Sequence, residues 1–111
     1  MISPDLWFKI GCLSCSAGVV LATIGGHKEF EKPKQGQFDK AKFYHFINSL
    51  GIIISSMKTK SMIPPSLFAI GILGFSGSLY MRVLTKHEKF GFPPIGGVAM
   101  IIGWVALAFS I

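Results

Sequence analysis

The stretch GILGFSGSLYMRVL, residues 71–84, decides the fold. It is the Gly/Ser-rich inner half of an apolar segment that runs without a charge from Ser61 to Met81. In water, each of Gly71, Gly74 and Gly77 would weaken a helix by about 1 kcal/mol relative to alanine. In a bilayer every backbone polar group must find its bond inside the protein, so a spanning segment becomes a helix or part of a closed barrel. Small residues then turn into packing surface on which neighbouring backbones approach closely. Gly74 and Ser78, four residues apart, share one smooth face. The stretch therefore reads as the central helix of a membrane bundle, with Gly74, Gly77 and Ser78 in tight helix contact. A polar site built from Ser76, Ser78 and Tyr80 is the functional alternative.

Composition points the same way. Half of the 111 residues are hydrophobic and 14% are charged, against about 25% charged in a soluble domain. The length suits a single domain, residues 1–111, and the apolar runs lack the period-2 alternation of a membrane barrel. The formal charge of +6 could suggest nucleic acid. The lysines, however, fall in short segments between apolar runs and form no stripe with interleaved aromatics. They suit topology and lipid headgroups instead. The expected partners are the lipid bilayer, bound phospholipids and other membrane protein subunits, with no nucleic acid.

Four spans are expected, at about 6–25, 38–57, 64–84 and 93–110. In the first, Trp7 suits an interface and Lys9 can snorkel. Ser14, Gly18, Ala22 and Gly26 recur every four residues as a ridge for close packing. The apolar run is long and no A-x-A-like site follows, so it is expected to stay in the mature protein. Cys12 and Cys15 form a CxxC, but inside an apolar helix without basic neighbours they read as small filler rather than a redox pair. Residues 26–42 form the main polar loop, with Pro33 and Gly36. In the second span, uncharged from Phe43 to Met57, the residues His45, Asn48 and Ser49 share one face. Polar groups at membrane depth turn inward and find partners. Interhelical hydrogen bonding is the bland reading of this face; ligand or proton handling by His45 is the sharper one. Pro64-Pro65 and Pro93-Pro94 suit first helical turns, and Gly96, Gly97, Ala99 and Gly103 give the last span its small face. The expected fold is an all-α integral membrane protein, a four-transmembrane-helix bundle with both termini on the same side.

Charge orients it. Lys28, Lys32, Lys34, Lys40, Lys42, Arg82, Lys86 and Lys89 lie in or beside the first and third loops, whereas only Lys9, Lys58 and Lys60 lie at the opposite side. By the positive-inside rule the first group faces the cytoplasm or matrix, with both termini outside.

Several blocks carry a resemblance: GHK at 26–28, FDKAKFYHFINSL at 38–50, GFSGSLYMRVLT at 74–85 and PPIGGVAMIIGWVALA at 93–108. Together they resemble the transmembrane protein 256-like family, also called domain of unknown function 423, over nearly the whole chain. The resemblance implies a small four-helix membrane protein of bacteria or of mitochondria, and no activity. Asn48 stands where members often carry a second histidine, which weakens a His-pair metal or haem site.

No catalytic, cofactor-binding or metal-binding residues are expected, and no enzyme. The favoured function is a non-enzymatic accessory or scaffold subunit of a larger complex in an energy-converting membrane. A respiratory complex of the mitochondrial inner membrane is preferred over a bacterial inner membrane. The alternative is a small transporter, channel or lipid-binding protein with a polar site around His45 and Asn48. The candidate polar cluster is His45, Asn48, Ser49, Ser76 and Tyr80; the candidate packing set is Gly18, Ala22, Gly74, Gly77, Ser78, Gly96, Gly97 and Gly103.

Overall fold

The computed structural model describes residues 3–85, 87, 89 and 90–110. Among them there are four helices and no strand: α1 (Pro4–Gly26), α2 (Lys32–Lys58), α3 (Ile63–Leu84) and α4 (Pro93–Ala108). Each helix carries proline in its first turn, where the missing N–H costs nothing and the fixed φ suits the helix. At α1 the Ser3 hydroxyl also accepts a bond from the Leu6 amide, 3.2 Å away. Proline explains one departure from expectation. Most of the charged stretch 26–42, expected as a loop, is helical, because α2 starts at Lys32 with Pro33 in its first turn. The Gln35 side chain then donates to Asp39 across one turn at 3.0 Å, an (i, i+4) pair that supports the exposed helix.

The helices run alternately up and down, as short connections require. The facing pairs show it. Against α1, Gly11 meets Ile53, Gly18 meets Phe46 and Gly25 meets Phe38 of α2, in descending order. Gly51 of α2 lies on the Phe68 ring of α3, and Gly71 and Gly74 of α3 lie on Met100 and Gly96 of α4. Both ends of the described chain therefore sit at one end of a body 43 Å long and 24 × 21 Å across.

The α1 ridge differs from the every-four pattern read from sequence. Gly11, Gly18 and Gly25 are buried against α2 at seven-residue spacing, while Gly26 has open space around it and Ala22 is half-buried. A seven-residue period is what keeps one seam facing one partner along a left-handed helix pair. Glycine on that seam admits knobs from α2, above all Phe38 and Phe46.

α3 is continuous but contains a π-helical turn at Ile72–Ser76. The turn sits where α3 packs most closely on α4. The Ser76 hydroxyl within it leaves its own helix and donates to the Ala41 carbonyl of α2 at 2.9 Å.

The exterior is more apolar than that of a water-soluble domain, and the interior holds polar groups among its apolar ones. Asn48, Ser49, Ser55 and Ser76 are buried alongside Phe38, Ile52 and Phe68, whereas Leu13, Leu73 and Ile101 expose 70%, 75% and 66% of their surface. Contiguous apolar exposure on this scale marks a surface that meets something other than water. By length and composition α1 and α3 are each able to cross a membrane, and α4 is a shorter apolar helix.

Candidate functional site

α2 is the hub, because its polar face reaches all three other helices. The sequence rule put His45, Asn48 and Ser49 on one face, and all three are buried. His45 uses both ring nitrogens. Its Nδ1 lies 2.9 Å from the Tyr80 hydroxyl of α3, and its Nε2 lies 3.1 Å from the Ser14 hydroxyl of α1. Ser14 is also 2.6 Å from the Ser49 hydroxyl, and Ser49 donates in turn to the His45 carbonyl. The Tyr80 and His45 rings meet edge to face, with centroids 5.6 Å apart.

Asn48 faces the other way. Its amide nitrogen donates to the Tyr44 carbonyl at 2.7 Å, and its oxygen accepts the indole N–H of Trp104 in α4 at 3.1 Å. The candidate cluster is thus divided. Tyr80, His45 and Ser49 belong to one chain of hydrogen bonds, Asn48 to a second contact, and Ser76 to a third with Ala41. Two partners escaped the sequence reading. Ser14 was counted as a small packing residue, and Trp104 was given no role.

The packing set divides as well. Gly18, Gly74, Gly96 and Gly103 are contact positions: a Cβ at each would come within 3.1 Å or less of a neighbouring helix. Gly71, outside the candidate packing set, is another: its Cβ would lie 2.4 Å from Met100. Ser78 is buried and bonds back to the Gly74 carbonyl at 2.6 Å. Gly77 and Gly97 are not tight contacts. A Cβ there would meet only the Ile72 carbonyl oxygen at 3.7 Å and the Phe75 ring at 3.8 Å, ordinary van der Waals separations.

Beside the Asn48–Trp104 bond lies a groove of about 430 Å³ between α2 and α4, floored by Phe75 of α3. Lys40, Tyr44 and Ile47 line it from α2; Gly97 and Ile101 line it from α4. The helices α2 and α4 run parallel here, so Lys40 and Gly97 mark one end, and Asn48 and Trp104 the other.

Cys12 and Cys15 are free thiols, Cys12 on the exposed face of α1. His27 and His87 are exposed and remote from His45. Among the described residues no three His, Cys, Asp or Glu side chains gather in a way that could hold a metal ion.

A four-helix chain with a buried polar face and an apolar exterior is the form of a small integral membrane protein, and comparison with known proteins agrees. The family described as "Protein of unknown function (DUF423)" matches residues 21–97, and the chain belongs to it. A UPF0382 membrane protein of Staphylococcus aureus is 32% identical over 114 residues, covering 95% of this chain and 93% of its own. One from Staphylococcus epidermidis is 32% identical over 110 residues, 91% and 90% of the two chains. One from Haemophilus influenzae is 34% identical over 72 residues, 62% and 58%. No solved structure matches. Membrane location is supported by these relatives, which are bacterial; the expectation of a mitochondrial inner membrane and of a respiratory complex receives no support from them.

Proposed function

We propose that the chain is a non-catalytic helical scaffold, an accessory subunit of a larger assembly in an energy-converting membrane, here the plasma membrane of a bacterium rather than a mitochondrial one. In this reading all four helices cross the bilayer. The uncharged part of α2, Phe43 to Met57, and the 16 residues of α4 extend about 22 and 24 Å at 1.5 Å per residue, short for a hydrocarbon core of about 30 Å. Flanking lysines and aromatics make up the difference by snorkelling.

One observation carries the proposal. Each polar side chain on the inner face of α2 is already committed to another helix or to its own backbone: His45 to Ser14 and Tyr80, Asn48 to Trp104, Ser49 to Ser14. Polar groups at membrane depth pair with one another or with backbone carbonyls, and here each pairing fastens α2 to a neighbouring helix or to its own turn, which is the work of a scaffold.

The test is purification of the native protein in mild detergent, followed by identification of stoichiometric partners. Retained membrane subunits support the proposal, and a chain that runs alone from native membranes sinks it. The alternative, a transporter, channel or lipid-binding protein with His45 and Asn48 as its site, is separated by His45→Gln. That change keeps polarity and removes the titrating group. Normal incorporation with lost activity of the host membrane's energy-converting complexes would favour the alternative.

A further inference from the structure

The groove between α2 and α4 is built differently from the rest of the bundle. On α4, Gly96 and Gly103 bring backbone or ring into contact, but Gly97 touches nothing closer than the Phe75 ring. Its missing side chain opens space instead of closing it. The groove walls are apolar apart from its two ends. At one end is Lys40; at the other the Trp104 indole N–H is bonded to Asn48. From Lys40 to Asn48 is eight residues of helix, about 12 Å, a little under half of a hydrocarbon core of about 30 Å. The open length thus matches one leaflet.

Charge at the mouth selects the occupant. Asp39, the acid next to Lys40, is already engaged by Lys42 at 3.6 Å and by Gln35. Lys42 in turn lies over the Phe38 ring. Lys40 is exposed and has no ionic partner among the described residues. It also sits at the lysine-rich end of the molecule, where anionic headgroups collect.

We propose that this groove is a specific site for one anionic phospholipid. The headgroup phosphate sits on Lys40, and one acyl chain lies over Gly97 and Phe75 with its tip at Trp104. The inference needs the membrane location but not the scaffold role, and its test reads lipid occupancy, which loss of a protein partner would not change.

Trp104 is the reporter. In a Trp7→Phe background it is the single tryptophan, and the Trp7 indole N–H has no hydrogen-bond partner among the described residues. The full chain is reconstituted in vesicles of phosphatidylcholine or phosphatidylglycerol with brominated acyl chains, and quenching of Trp104 is measured. One lysine near the membrane surface predicts about a fivefold preference for phosphatidylglycerol. Lys40→Gln should abolish the preference and leave phosphatidylcholine quenching unchanged. Gly97→Leu, which fills the groove, should cut quenching by both lipids. Phosphatidylglycerol retained by the unsubstituted chain in native mass spectrometry should likewise fall with Lys40→Gln. Equal quenching by the two lipids, or a preference that survives Lys40→Gln, overturns the proposal. So does protection of Trp104 from both lipids that grows with protein density, since that would place a second copy in the groove.

Discussion

Gly74 of α3 and Gly96 of α4 meet backbone to backbone: a methyl group on Gly96 would lie 2.6 Å from the Gly74 carbonyl carbon and 2.2 Å from the Phe75 amide nitrogen. Backbone atoms cannot swing aside as the end of a side chain can. Gly96→Ala should therefore separate α3 from α4 and cost about 1–3 kcal/mol, the range for overpacking. Gly77→Ala, with nothing nearer than 3.7 Å, should be neutral or gain a few tenths from better helix propensity. Unfolding of the two variants in mixed micelles compares them directly. Equal stability would remove the close contact from the account.

His45 and Tyr80 form a second relationship open to measurement. A cycle of His45→Leu, Tyr80→Phe and the double variant isolates their coupling. Interhelical hydrogen bonds in membranes average roughly 0.6 kcal/mol and reach about 1.7, and the upper half of that range is expected because both ring nitrogens of His45 are engaged. A coupling of zero would mean that the pair does not tie α2 to α3.

The turn into α4 depends on Arg82 and Gly91. The Arg82 guanidinium donates to the Phe90 and Gly91 carbonyls at 2.8 and 3.0 Å, and Gly91 has φ of +74° with its Cα against Ser78. Gly91→Ala adds both a left-handed alanine, about 1–2 kcal/mol, and a clash with the Ser78 hydroxyl. Arg82→Lys loses the fork, since an ammonium does not span two acceptors in the same way. Both variants should speed proteolysis within residues 85–92 relative to the parent chain. An unchanged cleavage rate would show that the turn holds without them.

On α1 the two glycine spacings make opposite forecasts. Gly18→Leu should undock α1 from the Phe46 ring, 3.1 Å from a Cβ there, while Gly26→Leu enters open space. Crosslinking between cysteines placed at Ser14 and Ser49, in a chain lacking Cys12 and Cys15, reports the docking. Similar loss of crosslinking in both variants would restore the every-four ridge.

Topology follows from the lysine distribution. Single cysteines at Glu31 and Lys89 should be labelled by impermeant reagents from the cytoplasm, and one at Thr59 from the outside. Labelling of the first two from outside would invert the orientation and leave the packing untouched.

Local rules made some of this legible in the chain and left the rest hidden. Spacing of three and four placed His45, Asn48 and Ser49 on one face because helix geometry alone decides it. Which residue each would bond depends on the register between helices, so Ser14 and Trp104 could not be paired with them from sequence. Gly96 and Gly97 are adjacent and chemically identical; only the rotation of α4 against α3 makes one a contact and the other a gap. The π turn at Ile72–Ser76 is likewise invisible in composition. By contrast, Gly11, Gly18 and Gly25 did carry a readable seven-residue signal, which the overlapping four-residue series obscured.

The bond between Asn48 and Trp104 spans 56 positions of chain, against 31 and 35 for the bonds of His45. Both partners of His45 lie within the first 80 positions, on α1 and α3. The Asn48 side-chain oxygen finds its donor only in the last helix. A chain cut short before residue 104 would keep both His45 links and lose the donor for the Asn48 oxygen, so the last helix closes a polar contact that the first three cannot make among themselves.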